Sequence, residues 1–409
     1  MSFSQLAPRM SRVRPSPTAA ISDKVRELLA AGKSVINLGE GELHFDTPAH
    51  IKRAGIEAIE RGDTKYTAVA GTSELLAAIV EKFERENGVR YAMDEVIAGT
   101  GAKQLIFNAL LATLAPGDEV LICAPYWVSY PDMVALAEGR ARVLSGDPSN
   151  GWKLDAPTLR AAITPKTRWL ILNSPNNPTG AVYTREELRA LADVLLDHEH
   201  VLLMADDIYE HVRFGGAFST PAEVEPRLRE RTLTVNGVSK GYSMTGWRIG
   251  YAGGPAWLVR AMQILQSQST SNPSTISQAA TVAALRGGLS FLDDWLVELR
   301  ANRDLVNATI ARCPGLHCEP ADGAFYAFVN CAGLIGATTP DGAVLRDDLA
   351  VATWLLESAH VGVVHGSAFG VEDHVRIAYA VPVETLKEAC RRIEAACTTL
   401  TLAPLEAGA

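Results

Sequence analysis

From about Glu95 onward, short apolar runs closed by small or acidic residues alternate with segments of helical periodicity. The runs Val96–Ala98, Glu119–Ala124, Trp169–Asn173, Val201–Ala205, Thr232–Val235 and Ile249–Ala252 are too short for buried helices. They predict strands covered on both faces, hence a mostly parallel sheet with helices above and below it. Upstream, residues 1–20 read as an irregular arm. Ser22 is placed to cap a helix that Gly32 stops, and Val35–Leu38 reads as a strand. Amphipathic helices follow to Glu60 and over Ser73–Asn87. After Pro255 helical patterns run to about Arg312. The remainder mixes short strands (Gly323–Val329, Gly362–Val364, Val375–Tyr379) with helices (Asp347–Ser358, Val383–Thr399). The expected organisation is an arm and part of a smaller domain in residues 1–48. A large domain over 49–300 and a small α+β domain over 301–409 complete it.

Composition narrows the class. With 409 residues, 47% hydrophobic and 21% charged, the chain suits a globular enzyme with a sizeable core. A formal net charge of −9 argues against nucleic acid or an anionic membrane as partner, while leaving room for a locally basic pocket. No apolar run reaches membrane-spanning length, and Met1–Arg14 lacks the apolar core of a signal peptide. The six cysteines and nine histidines show no metal-ligand spacing. Free thiols and a cytoplasmic location are expected, with no metal.

The chemistry concentrates where strands end. In Thr234–Gly250 an apolar strand runs into Ser239 and Lys240, and Arg248 follows in a Gly/Ser/Thr-rich loop. A lysine on a tight turn behind a buried strand is partly desolvated, which lowers its pKa and favours imine chemistry with an aldehyde. An arginine beside it can grip a phosphate dianion. Together they point to a lysine-linked pyridoxal 5′-phosphate; two ordinary surface cations are the plain alternative. Gly99-Thr100-Gly101 opens a helix and lets backbone N–H groups approach a phosphate. Gln104 stands where a dinucleotide fingerprint needs its third glycine, which weakens a nicotinamide reading. Asp206 closes an apolar strand, where a carboxylate could hold a pyridine nitrogen protonated, and Tyr209 could reach a ring hydroxyl. Asn177 could donate to the same oxygen, Trp127 could stack on a flat heterocycle, and Arg376 within an apolar strand calls for an anion such as a substrate carboxylate. A turn, an acidic helix start or a core aromatic would explain any one of these. All of them in this order are hard to explain as independent accidents.

These segments resemble the class I PLP-dependent aminotransferases of PLP fold type I, and most closely the bacterial aspartate aminotransferases, some of which also use prephenate. The resemblance spans about Arg12 to Thr399 and is strongest in Tyr126–Pro131, Asn173–Gly180, Asp207–His211 and Asn236–Gly250. It implies an α/β fold with a mostly parallel seven-stranded sheet plus a smaller α+β domain. It implies Lys240 as the imine-forming lysine, Asp206 as partner of the ring nitrogen, Asn177 and Tyr209 at the ring oxygen, and Trp127 as the stacking aromatic. Gly101, Ala102, Lys103, Ser239 and Arg248 would form or flank the phosphate cup. Tyr66 would reach the phosphate of a neighbouring subunit in a homodimer with shared active sites. Arg376 would bind the α-carboxylate and Gly41 would contact the substrate. Lys103, Ser16 and Thr18, with Arg14, are the candidates for a second carboxylate. The implied reaction is ping-pong transfer of an amino group from aspartate to 2-oxoglutarate, with prephenate a further acceptor. Another substrate or outcome on the same cofactor (aromatic aminotransfer, decarboxylation, elimination, oxidation) is the alternative. Leu43-His44 departs from the Pro-Asp usual in such sequences, and Ala102 stands where glycine is common.

Overall fold

The apolar runs pair into one seven-stranded sheet. The structure is a computed structural model that describes residues 6–15 and 17–402, so Ser16 lies outside the described residues. Along the chain, β1 (Ile36–Asn37) stands apart from that sheet, which is built from β2 (Val96–Gly99), β3 (Glu119–Ala124), β4 (Arg140–Ser145), β5 (Thr167–Asn173), β6 (Leu202–Asp206), β7 (Thr232–Gly237) and β8 (Gly250–Gly253). Their spatial order is β2-β8-β7-β6-β5-β3-β4. Only β8 runs against its neighbours β2 and β7.

The central strands are largely apolar because both faces are covered. Val120, Trp169 and Met204 point into one core with the helices Ala102–Thr113 and Ala256–Ser267. Their chain neighbours Leu121, Leu170 and Leu203 point into another, against Leu188, Leu191 and Leu195 of the helix Arg185–Leu196. Alternation by two residues with burial on both sides is the signature of a helix-covered sheet. Strand β4, which the apolar pattern does not reveal, lies at the sheet edge and buries only Leu144.

A second core gathers β9 (Tyr326–Asn330), β10 (Val361–Gly362) and β12 (His374–Ala378) with the helices Phe291–Ile310, Asp348–Ser358 and Val383–Cys397, while Val364 of β11 (Val364–His365) packs in a smaller cluster with Phe328 and Phe369. Here β11, β12 and β9 form an antiparallel sheet, while β1 pairs in parallel with β10. Leu38 and Leu43 are buried in this C-terminal core, so the segment after the first helix joins it. The helix Phe291–Ile310 runs through residue 300 and buries Leu299, Val306 and Ile310 there.

Some local expectations shift. The first helix spans Pro17–Ala30, upstream of the Ser22 cap, because a proline's fixed φ suits a first helical position. Ser22 is buried within it. Thr72 caps the helix Ser73–Asn87, accepting from Leu75 N at 3.1 Å. No helix among the described residues is long and apolar enough to cross a membrane.

Candidate active site

The carboxyl ends of the parallel strands and the C-terminal sheet face each other across a cleft of about 440 Å³. Asp206 ends β6, and Lys240 sits on the turn after β7. Asn177 follows β5 and Trp127 follows β3, while Arg376 and Tyr326 come from β12 and β9. Open α/β sheets bind ligands at this edge.

Asp206 is buried, and the Tyr130 hydroxyl donates to its Oδ2 at 2.6 Å. Its backbone carbonyl accepts from Asn173 Nδ2 at 2.8 Å, which fixes the strand end. Burial pushes the carboxyl up to about 6, against the opposing pull of the Tyr130 hydrogen bond and the Lys240 charge. Its charge is therefore poorly solvated, and a cation brought beside it would stabilise the ionised form.

Lys240 follows Val238, whose buried side chain anchors the turn in an apolar cluster. Its Nζ donates to the Gly41 carbonyl. Burial lowers its pKa to about 8; nearby Glu42 opposes this, while Arg376 and Arg248 reinforce it. A Cβ at position 241 would stand 2.6 Å from His211 Nδ1, so only glycine lets the turn pack this closely.

Arg376 is buried and meets no carboxylate among the described residues. One terminal nitrogen donates to Asn177 Oδ1 at 2.9 Å, the other to the Gly39 carbonyl at 2.6 Å, and Nε has no partner. Its guanidinium carbon lies 4.5 Å from the Tyr326 ring centre and 5.0 Å from that of Phe369. Desolvation lowers its pKa, with the phenols of Tyr326 and Tyr209 the opposing influences. A buried guanidinium without a counter-charge is costly unless an anion visits it. Tyr209 lies beside it, its hydroxyl 2.8 Å from that of Tyr326.

The remaining wall suits a dianion. Gly101, at φ +87°, precedes the helix Ala102–Thr113, and no side chain caps the free N–H groups of that helix. A Cβ at Gly250 would fall 2.2 Å from Ala102 N, so β8 lies directly beneath this turn. Arg248 reaches over it, and Ser239 lines the same wall. Lys103 Nζ stands 4.7 Å from the Trp127 ring centre. Its side chain is largely exposed, yet desolvation within the cleft, helped by Arg248, lowers its pKa.

Of the residues singled out from sequence, Gly41, Gly101, Ala102, Lys103, Trp127, Asn177, Asp206, Tyr209, Ser239, Lys240, Arg248 and Arg376 meet at this cleft, and Thr18 lines it from the first helix. Tyr66 lies elsewhere, 90% exposed. Arg14 is exposed and away from the cleft wall. Tyr130, Tyr326 and Asn173 also line the cleft, and the sequence assigns them no role. Tyr130 was legible in part, three positions after Trp127 at the start of a helix. Tyr326 carries no local signal.

These groups fit pyridoxal 5′-phosphate. A buried acid, a desolvated amine, an uncapped helix start with an arginine beside it, and an orphaned guanidinium match a ring nitrogen, an aldehyde, a phosphate and an incoming carboxylate.

The family model described as "Aminotransferase class I and II" matches residues 33–393. A probable aspartate/prephenate aminotransferase of Rhizobium leguminosarum bv. phaseoli is 53% identical over 393 residues, 96% of this chain and 98% of that protein. The aspartate/prephenate aminotransferase of Cereibacter sphaeroides is 53% identical over 397 residues, 97% of this chain and 99% of its own. Among solved structures, the aspartate aminotransferase of Rhizobium meliloti superposes with a TM-score of 0.94 at 52% identity, covering 97% of this chain and 100% of that one. The Thermus thermophilus aspartate aminotransferase with maleate gives 0.89 at 41% identity, covering 96% and 99%. The chain therefore belongs to the class I and II aminotransferases, and is a transaminase dependent on pyridoxal 5′-phosphate.

Proposed function

We propose that the protein transfers the amino group of L-aspartate to 2-oxoglutarate by a ping-pong mechanism, with prephenate as a further acceptor. Near-full-length relatives that carry the aspartate and aspartate/prephenate names support this reading. The observation that carries it is Arg376, a buried guanidinium with, among the described residues, a free Nε and no carboxylate against it, as an α-carboxylate site requires.

When bound, pyridoxal 5′-phosphate supplies an electrophilic carbon and a ring that takes up an electron pair. Lys240, Asp206, Tyr209, Asn177 and Trp127 would hold its ring. Gly101, Ala102, Lys103, Ser239 and Arg248 would hold its phosphate, with Tyr66 contributed across a homodimer interface. Arg376 and Asn177 orient the incoming amino acid. Lys240 Nζ, brought to about 8 by burial, is the base that takes the Cα proton and the acid that returns it. Asp206, its orientation fixed by the Tyr130 hydrogen bond, would hold the ring nitrogen protonated. Lys103, Ser16 and Thr18 are the candidates for a side-chain carboxylate. Residues 49–300 form the cofactor-binding domain in this reading, residues 301–409 with 1–48 the smaller one, and the site of action is the cytoplasm.

A panel of amino acids assayed with 2-oxoglutarate tests the reading. Glutamate should form fastest with aspartate. Release of CO₂ or ammonia without a matching 2-oxo acid would replace transamination by another outcome.

A further inference from the structure

His44 lies between two acceptors. Its Nε2 is 3.1 Å from Glu298 Oε1 and its Nδ1 is 3.2 Å from the Ala380 carbonyl. Neither acceptor can donate, so both contacts are hydrogen bonds only when both ring nitrogens carry protons, that is, when the ring is an imidazolium. The pair is half-buried, with the His44 side chain 21% and that of Glu298 36% exposed, so solvent does not fully screen it. Next to it, Phe45 stacks on Trp295, with ring centres 4.6 Å apart and planes 4° from parallel. Trp295 and Glu298 stand three residues apart on the helix Phe291–Ile310, hence on one face. Two consecutive side chains of the cleft-lining segment are thus moored to that helix.

The same segment touches the reacting groups. The Gly39 carbonyl accepts from Arg376 at 2.6 Å and the Gly41 carbonyl from Lys240. Ser243 Oγ, on the lysine turn, donates to the Phe45 carbonyl, and Thr47 Oγ1 donates to the Ser243 carbonyl at 2.7 Å. The other charges around His44 are engaged elsewhere. On its own segment Glu42 accepts from Thr245 and Asp46 from Lys52. The stretch after β12 presents only the Ala380 carbonyl, Lys240 from the facing turn is bonded to Gly41, and Glu298 is the helix's ion-pair partner.

We propose that His44 is a positioning residue for transamination: it ties the segment Gly39–Pro48 to the helix Phe291–Ile310 and so holds the Gly39 and Gly41 carbonyls that orient Arg376 and Lys240. This rests on the aminotransferase reading.

The test is steady-state kinetics on the holoenzyme, using H44Q and E298Q. In both variants KM for the amino acid should rise about three- to tenfold, with kcat changing less. A wild-type KM in both variants overturns the proposal, as does a loss confined to kcat. Should H44Q fail to fold, E298Q decides alone by the same split. If no amino acid reacts with the wild type, the aminotransferase reading falls, and a double-mutant cycle of H44Q and E298Q on the melting temperature still decides whether the latch exists.

Discussion

The hydroxyl of Tyr130 reaches Asp206 Oδ2 across 2.6 Å, and both side chains are shut off from water. It is the one side-chain donor to that carboxylate among the described residues. Tyr130→Phe should raise the Asp206 pKa above its value of about 6, because the hydrogen bond favours the charged form. A bond to a charged group is worth roughly 1.5–3 kcal/mol, so kcat should fall about ten- to a hundredfold. Steady-state kinetics and the pH dependence of the cofactor absorbance check both expectations.

The same carboxyl makes a stability prediction for the cofactor-free protein. Its folded pKa of about 6 lies above the unfolded reference of about 3.9, so the native state holds the proton more tightly. That contribution is favourable below both values and is lost as pH rises from about 4 to 6. Asp206→Asn has no such titration. Relative to the wild type it should therefore gain up to about 3 kcal/mol between pH 4 and pH 7, as urea denaturation at the two pH values would measure.

Arg376 should separate stability from function. Arg376→Met removes a buried charge that has no carboxylate partner among the described residues, a change often neutral or stabilising when the replacement fills the volume. It leaves Asn177 Oδ1 and the Gly39 carbonyl unpaired, which offsets part of that gain. The melting temperature should shift by only a few degrees, while kcat/KM for amino acids falls at least about a hundredfold, near 3 kcal/mol.

Lys82 should show the opposite balance. It is fully buried, bonded to Asn87 at 2.6 Å and paired with buried Glu210. Lys82→Met would leave Glu210 charged and desolvated, at a cost of roughly 3–5 kcal/mol. Breaking the exposed pair Lys387–Glu384 should cost less than about 1 kcal/mol. Paired denaturation curves of the two variants make the comparison.

Gly250→Ala would set a methyl group 2.2 Å from Ala102 N, so the helix start must move away from β8. Affinity for pyridoxal 5′-phosphate should fall at least about tenfold, measured by fluorescence titration of the cofactor-free protein.

What the sequence disclosed follows from how local each cause is. The central strands were legible because residues such as Leu121 and Met204 bury on both faces, leaving unbroken apolar runs. Strand β4 was not, since an edge strand with Arg140 exposed and only Leu144 buried carries no such run. Lys240, Asp206 and Arg376 announced themselves as ionisable groups set inside apolar strands or on their ends. Tyr130 and Tyr326 act through partners 76 and 117 residues away in the chain, and nothing beside them in sequence points that far. The departure at Leu43-His44 was visible, but its meaning depends on Glu298, which the fold alone brings near.

Strand β8 reverses direction between β2 and β7, so no crossover helix is needed to reach it. Lys240 and Arg248 consequently ride on one short span, residues 238–249, with both ends stitched into adjacent strands. An insertion or deletion anywhere in that span would displace amine and guanidinium together. Its length is thereby as much a part of the catalyst as its side chains.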